Sequence, residues 1–435
     1  MEYDLDFSAR KLDDTPRALQ VGQWTIEYQA YSRPENLHAT PMIFLSGAFQ
    51  NFRSFRYEVT TMLEHFPVIL LDLPSQGNNL QLAPELDIKG LADLIPQFLD
   101  ACDVEQAHMI GVSYGSLVAS MFAIHYPERI GRLLLSGTTA KGRPALRLML
   151  EESFHLCSEG SLEQFAHGAV STMINGYHID RTGMGGVHRK LLLRQVLRLA
   201  DSERERFLQN TRRLLDFDGF EQFPACPTLV ATGELDHFTM PHENAHFSLS
   251  CKQATFALIR DADHMSIFAR REGTCALFLG FARGDSLKTG KDFTIYKRAE
   301  ALALQPRISP RLVPIRSSAC IIKTESGDGL QCRIEDINYF GARVTLSRKD
   351  NEPLPARKLQ LHIEAINLAL PIHTLEQNGN EVRCQFIHMD LSKAEVFRNY
   401  LLDDSYFIPQ SPMPELALED TLVEQQLIEK QAVAL

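Results

Sequence analysis

Several features are scarce or missing in this sequence, and each absence removes a class of protein. None of the eight cysteines (Cys102, Cys157, Cys226, Cys251, Cys275, Cys320, Cys332 and Cys384) forms a CxxC pair. Neither a disulfide framework nor a metal site is therefore suggested, and a reducing compartment fits best. No apolar run is long enough to span a bilayer. The N-terminus, Met1-Glu2-Tyr3-Asp4-Leu5-Asp6, is acidic and lacks the apolar stretch of a signal peptide. Positive charge is in deficit: 44 Lys and Arg against 55 Asp and Glu leave a net charge of −11. That balance argues against general affinity for nucleic acid or anionic membrane. The expectation is a soluble cytoplasmic protein.

What is present is ordinary globular material, 44% hydrophobic and 23% charged, in a chain of 435 residues. That length suits two domains and a linker. Up to about residue 285, short apolar runs alternate with helix-length amphipathic stretches. Candidate strands are 42–47, 67–73, 107–112, 130–137, 227–236 and 254–260. They are rich in Ile, Leu and Val without polar alternation, as expected for strands buried on both faces. Helical patterns such as 86–102 and 115–125 lie between them, which implies an α/β fold with a mostly parallel sheet. The stretch 141–222 breaks the alternation with helical patterns only (145–157, 161–174, 188–200 and 202–215). It reads as a helical cap over the sheet's C-terminal edge, the alternative being extra packing helices away from the site. Its Phe154, Leu156, Phe165 and Met173 are candidates for an acyl-chain pocket, or for the cap's own core.

A charged stretch and a short helix, 286–304, read as a linker. From 318 onward the apolar residues recur with period two, and Asn378-Gly379-Asn380 separates two such segments, a strong hairpin signal. Several short antiparallel strands in about 100 residues suggest a small β-barrel over 305–408. An acidic tail, 409–435, completes the chain.

Gly111-Val112-Ser113-Tyr114-Gly115 is a G-x-S-x-G that follows an apolar strand and opens a helix. The pentapeptide alone is a weak signal, but that placement puts the serine on a tight strand-to-helix turn with its hydroxyl exposed above the sheet. Asp236 ends a later strand in Gly233-Glu234-Leu235-Asp236, and His264 follows the next one in Asp261-Ala262-Asp263-His264. Serine is a poor nucleophile until an imidazole takes its proton, and a carboxylate fixes that imidazole's tautomer. Glu234, Asp261 and Asp263 compete for the carboxylate role. Asp236 is preferred because it lies just past its strand.

Residues 25–285 resemble the α/β-hydrolase superfamily through Ser46-Gly47-Ala48-Phe49, Asp72-Leu73-Pro74 with Gly77, the Ser113 pentapeptide, Tyr126-Pro127-Glu128-Arg129, and the loops of Asp236 and His264. Ser46 stands where many members have histidine, and Ser75 and Asn79 also depart from the common pattern. The resemblance implies a Ser113–His264–Asp236 triad with no cofactor for catalysis. It also implies an oxyanion hole from the backbone N–H of Tyr114 and of Ala48 or Phe49. Within the superfamily, the run from Gly47 to Gly77 looks most like the rhamnolipid-precursor acyltransferases, which join two 3-hydroxyacyl chains.

Downstream, Arg307-Ile308-Ser309-Pro310-Arg311 and Asp336-Ile337-Asn338-Tyr339-Phe340-Gly341 resemble the two motifs of PilZ domains, with Asn338 where the family has serine. This implies that Arg307, Arg311, Asp336, Asn338 and Gly341 bind cyclic di-GMP as a regulatory ligand. Arginines can fork onto phosphates and stack on guanine, and a glycine lets the backbone approach the ligand.

Three readings follow: a regulated acyltransferase or thioesterase for 3-hydroxyacyl thioesters, or related lipid esterase; a non-catalytic cyclic di-GMP effector using the hydrolase fold as a protein-interaction scaffold; and a plain ester hydrolase with a vestigial barrel. A homodimer is open to all three.

Overall fold

The computed structural model describes residues 1–410 apart from 306, 316–317, 326, 349–351 and 356, so most of the expected acidic tail lies outside the described residues. The chain divides into a first unit, residues 1–308 with 388–391, and a second running from Ser309 to Ile387 and on from Ser392.

The first unit is built on nine strands: β1 (Arg17–Val21), β2 (Trp24–Tyr31), β3 (Met42–Leu45), β4 (Val68–Asp72), β5 (Ala107–Val112), β6 (Ile130–Ser136), β7 (Pro227–Gly233), β8 (Gln253–Ile259) and β9 (Phe293–Tyr296). They lie in the order β1-β2-β4-β3-β5-β6-β7-β8-β9. Strands β3 to β8 pair in parallel, while β1, β2 and β9 add antiparallel edges. Every residue of β3 and β4 is buried, because helices cover both faces of the sheet. Helices Ile88–Ala101 and Tyr114–His125 pack Leu91, Ile95, Phe98, Val118 and Phe122 on one face. Helices Arg56–Met62 and Arg271–Arg283 pack Val59, Met62, Leu277 and Phe278 on the other. This is the α/β-hydrolase fold.

Between β6 and β7 come four helices, Pro144–Ser158, Leu162–Met173, Gly186–Leu197 and Asp201–Asp216. Leu156, Phe165, Ala166, Ala169, Val196 and Phe207 form a core of their own there. Leu156 and Phe165, considered for a substrate pocket, belong to that core, against which Phe49 also packs. Met173 is half-buried beside that core, and Phe154 lies under the Arg212 guanidinium, 4.6 Å from its ring centre.

The stretch 286–304, expected to be a linker, instead supplies β9 and the helix Arg298–Leu302 to the first unit. Phe293 and Ile295 pack on the core under one sheet face, and Ala301 enters the core under the other. No residue of β9 is fully buried, so its apolar signal is weak.

The second unit contains β10 (Leu312–Pro314), β11 (Ala319–Lys323), β12 (Gly329–Asn338), β13 (Gly341–Leu346), β14 (Leu359–Ile363), β15 (Leu368–Asn378), β16 (Glu381–Phe386) and β17 (Phe407–Pro409), with a helix at Leu391–Leu401. Six antiparallel strands close a barrel in the order β11-β14-β15-β16-β13-β12, sealed by β11 on β12. Burial alternates along β13 and β14, as a one-faced interior requires. The Asn378-Gly379-Asn380 signal marks the β15–β16 hairpin, with Asn378 opposite Glu381 and Gly379 at φ 59°. Phe397, fully buried, lies edge-on to Phe386 at 4.9 Å and stacks on Tyr339.

Phe397→Ala should destabilise the second unit by about 3–5 kcal/mol, the usual cost of emptying an aromatic core site. Guanidinium titration followed by circular dichroism would read this. The single tryptophan, Trp24 in β2, reports the first unit by fluorescence and should keep its wild-type transition. An unshifted dichroism transition would show that Phe397 is not a core residue of the barrel.

Candidate active site

Ser113 is the residue between β5 and the helix Tyr114–His125, and its φ of 50° with ψ of −115° is a conformation that L-residues rarely adopt. Two glycines make the turn possible. A Cβ on Gly111 would lie 2.7 Å from the Gly115 carbonyl oxygen, and one on Gly115 would collide with the Leu45 carbonyl of β3. The Ser113 N–H donates to the Ser136 carbonyl at 2.8 Å, tying the turn to β6.

His264 completes a hydrogen-bonded chain. Its Nε2 lies 3.0 Å from Ser113 Oγ and its Nδ1 lies 2.9 Å from Asp236 Oδ2. Asp236 is fully buried and saturated. Oδ2 also accepts from Thr232 Oγ1 at 2.7 Å and Thr239 Oγ1 at 2.9 Å, and Oδ1 accepts from the N–H groups of Phe238 and Thr239. Burial by itself would raise this carboxyl, but the His264 charge and hydrogen bond, with the two threonine hydroxyls, hold its pKa below the ordinary value. Burial by itself would lower the His264 pKa, and the Asp236 charge and hydrogen bond reverse that, leaving it raised. Gly137, at φ 70°, leaves room for the imidazole: a Cβ there would stand 3.0 Å from His264 Cε1.

The competing carboxylates have other partners. Glu234 and Asp261 both pair with Arg181. Asp263 is buried and accepts from the Asn175 and Met265 N–H groups, each at 3.0 Å. Burial pushes it up to about 6 against those bonds. Asn175 was not legible from the sequence, yet it is fully buried and joins cap to site. Besides bonding Asp263, its Nδ2 donates to the Leu235 carbonyl at 2.8 Å, next to Asp236. Arg143, at the cap's entrance, donates to the carbonyls of His237 and Phe238 and to Glu243, fixing the Asp236 loop from outside. Only the Asn175-Gly176 pair, a common turn dipeptide, marks Asn175 in the sequence.

Ala48 and Phe49 occupy the turn after β3, closed by Gln50 N–H to the Gly47 carbonyl at 3.1 Å and by Gly47 N–H to Gln50 Oε1 at 2.6 Å. A Cβ on Gly115 would also lie 2.8 Å from the Ser46 carbonyl, so this turn abuts the Ser113 elbow. Tyr114 provides the first N–H of its helix, one of the four with no intrahelical acceptor. Phe49 stacks on Phe207 of the cap with ring centres 5.0 Å apart.

In the second unit, Arg311 Nη1 lies 3.3 Å from Asp336, whose other oxygen takes Arg343 Nε at 2.7 Å. Asn338 Oδ1 caps its own turn, accepting from the Phe340 and Gly341 N–H groups at 2.8 and 2.9 Å. Gly341 lies against the Cys384 carbonyl, where a Cβ would not fit. Arg307 is exposed and groups with the first unit. Among the described residues no cluster of His, Cys, Asp and Glu could hold a metal ion, and no helix is long and apolar enough to cross a membrane.

A family model described as the alpha/beta hydrolase fold matches residues 40–169. The chain is 24% identical over 262 residues to an (R)-3-hydroxydecanoyl-ACP:CoA transacylase of Pseudomonas aeruginosa, covering 56% of this chain and 80% of that protein. It is 32% identical over 123 residues to a poly(3-hydroxyalkanoate) depolymerase of Ectopseudomonas oleovorans, covering 27% of this chain and 44% of that protein. Among solved structures, an alpha/beta hydrolase enzyme from a Medee basin deep-sea metagenome library superposes with a TM-score of 0.57 at 19% identity, covering 63% of this chain and all of that one. The enol-lactonase of Burkholderia xenovorans gives a TM-score of 0.52 at 18% identity, over 61% of this chain and all of that one. These likenesses show the fold.

An imidazole that must accept a proton works only when neutral. Because the His264 pKa is raised, kcat/KM should fall as pH drops through a limb above the ordinary histidine value of about 6.5. Asp236→Asn removes the charge responsible, so the limb should move to lower pH while kcat falls by a factor on the order of 10⁴. A pH–rate profile of the two proteins checks both. An unmoved limb would mean that another group sets it.

Proposed function

We propose that the first unit is a serine acyl-transfer enzyme acting on esters or thioesters of 3-hydroxyacyl chains, and that the second binds cyclic di-GMP and adjusts turnover. The observation that carries the catalytic half is the hydrogen-bonded chain Asp236–His264–Ser113 on a serine held at positive φ. His264 Nε2 takes the Oγ proton as Oγ attacks the acyl carbonyl, and Asp236 holds the Nδ1–H tautomer and stabilises the imidazolium. The N–H groups of Tyr114 and of Ala48 or Phe49 receive the oxyanion. The imidazolium returns its proton to the departing alcohol or thiol. Attack on the acyl-serine by water then gives hydrolysis, and attack by a hydroxyl or thiol acceptor gives transfer. The 3-hydroxyacyl class is supported by the two relatives, one a 3-hydroxydecanoyl transacylase and the other a poly(3-hydroxyalkanoate) depolymerase.

The regulatory half rests on the likeness of the 307–311 and 336–341 stretches to the two PilZ motifs, the second of them on the β12–β13 turn of a six-stranded barrel. Arg311 Nη1 lies 3.3 Å from a carboxylate, Asp336, and a phosphodiester of the dinucleotide is an anion that a guanidinium can grip with two parallel hydrogen bonds. Binding shifts activity only by its differential affinity for two arrangements of the enzyme, typically about 5- to 150-fold.

Ser113→Ala should lower turnover of 3-hydroxyacyl thioesters by a factor on the order of 10⁶ and abolish fluorophosphonate labelling. Product analysis with acyl-carrier-protein and CoA thioesters distinguishes transfer from hydrolysis. If wild-type protein takes no label and turns over no ester, the scaffold reading replaces the catalytic one. Calorimetric titration with cyclic di-GMP tests the second half. Arg311→Ala should weaken binding at least about tenfold with basal turnover unchanged. No binding at tens of micromolar would remove the regulatory half alone.

A further inference from the structure

We propose that the outward face of the cap helix Gly186–Leu197 is an adsorption surface for anionic lipid membrane. The chain as a whole is acidic, but residues 182–200 contain no Asp or Glu and carry Arg189, Lys190, Arg194 and Arg198, with His188 beside them. Among the described residues none of these four cations forms an ion pair with a carboxylate. Aliphatic side chains stand bare between them: Val187 is 70% exposed, Leu191 57% and Leu197 41%. No other large apolar side chain among the described residues is as exposed as Val187.

The periodicity of the helix separates its two sides. Leu192, Leu193 and Val196 turn inward onto the cap's apolar clusters. Val187, Leu191, Arg194 and Arg198 recur at i, i+4, i+7 and i+11, so they line the opposite side, with Lys190 and Leu197 on its flank. The cap core explains the inward residues and leaves the outward ones without a structural task.

Water hydrates the cations but gains nothing from the aliphatics. At a lipid interface both are satisfied, the aliphatics entering the acyl boundary while guanidinium and ammonium groups meet phosphates. A folded acidic protein could meet the cations as well. A stable protein interface, however, buries roughly 800 Å² on each side, and a helix of twelve residues is only about 18 Å long. A lipid surface asks for no such matched area. Since no described helix can cross a bilayer, this surface binding would be peripheral and reversible.

The test is flotation of the full chain with phosphatidylcholine vesicles, with and without phosphatidylglycerol. Binding should appear only on the anionic vesicles and weaken as salt is raised. Reversing three charges together (Lys190→Glu, Arg194→Glu and Arg198→Glu) should cut the bound fraction at least about tenfold. Val187→Ser with Leu191→Ser should weaken binding but leave it salt-sensitive. Circular dichroism of each variant confirms folding. Equal partition onto neutral vesicles, absence of binding at low salt, or variants that float like wild type would overturn the proposal. So would a charge-reversed protein that floats normally but loses affinity for an acidic acyl-carrier protein, because the face would then serve a protein partner. Flotation is read without turnover, so its outcome is separate from that of the Ser113 assays.

Discussion

The turn at Ser113 requires three backbones to meet in a space that admits no side chain. Strand β5 must end against β3, the following helix must start over the Leu45 carbonyl, and the serine between them must take a positive φ. Glycine at 111 and at 115 removes the two Cβ atoms that would block this. Strain of this kind costs on the order of 1–3 kcal/mol and survives only where the surroundings over-determine it. Here they do: the Ser113 N–H is held by Ser136, and β5 lies between β3 and β6 in a sheet buried on both faces. Every other feature of the site is measured from that fixed hydroxyl. Gly137 leaves the His264 imidazole its space, and Asp236 is placed by its own hydrogen bonds rather than by the histidine alone.

The cap is fixed to the loops above the sheet at two places by polar groups. On one side Arg213, 5% exposed, donates to the carbonyls of Ala83 and Leu86 at 2.6 Å, while Asn210 donates to the Ser75 carbonyl at 2.7 Å. Arg206 reaches the Gly77 carbonyl from the same helix. On the other side Asn175 bonds the loops of Asp236 and His264. Buried hydrogen bonds are modest in net value but costly to break singly, since the abandoned partner stays desolvated. Asp72, beneath the first of these anchors, is raised to about 7 by burial, against the bond from the Asn78 N–H.

Much of this was legible in the sequence, for stateable reasons. Fully buried parallel strands appear as unbroken apolar runs, so β3 to β8 were found. Ser113, His264 and Asp236 could be singled out because the chemistry expected of them fixes residue type and the fold fixes their order, and the structure brings the three into one hydrogen-bonded chain. Asp236 could be separated from Glu234, Asp261 and Asp263 by position, and the structure gives each rival another partner. The edge strands β1, β2 and β9 escaped because a half-exposed strand has little apolar signal. Asn175, Arg143 and Gly137 escaped because their work is done across tertiary contacts that no local spacing records. The cap's aromatics were the hardest case. A buried phenylalanine in a cap core and one in a substrate pocket have the same sequence signature, and only packing separates Phe165 from a pocket wall.

The same distinction bears on the barrel motif. Asp336 is 4% exposed and faces two arginines, Arg311 at 3.3 Å and Arg343 at 2.7 Å. A buried carboxylate with one cation would be stranded if that cation left, at a cost of several kcal/mol. With two, the shorter bond to Arg343 would remain if Arg311 were removed. Asn338 and Gly341 meanwhile hold the β12–β13 turn closed. The motif thus combines a turn closed by its own side chain with a buried carboxylate shared between two arginines.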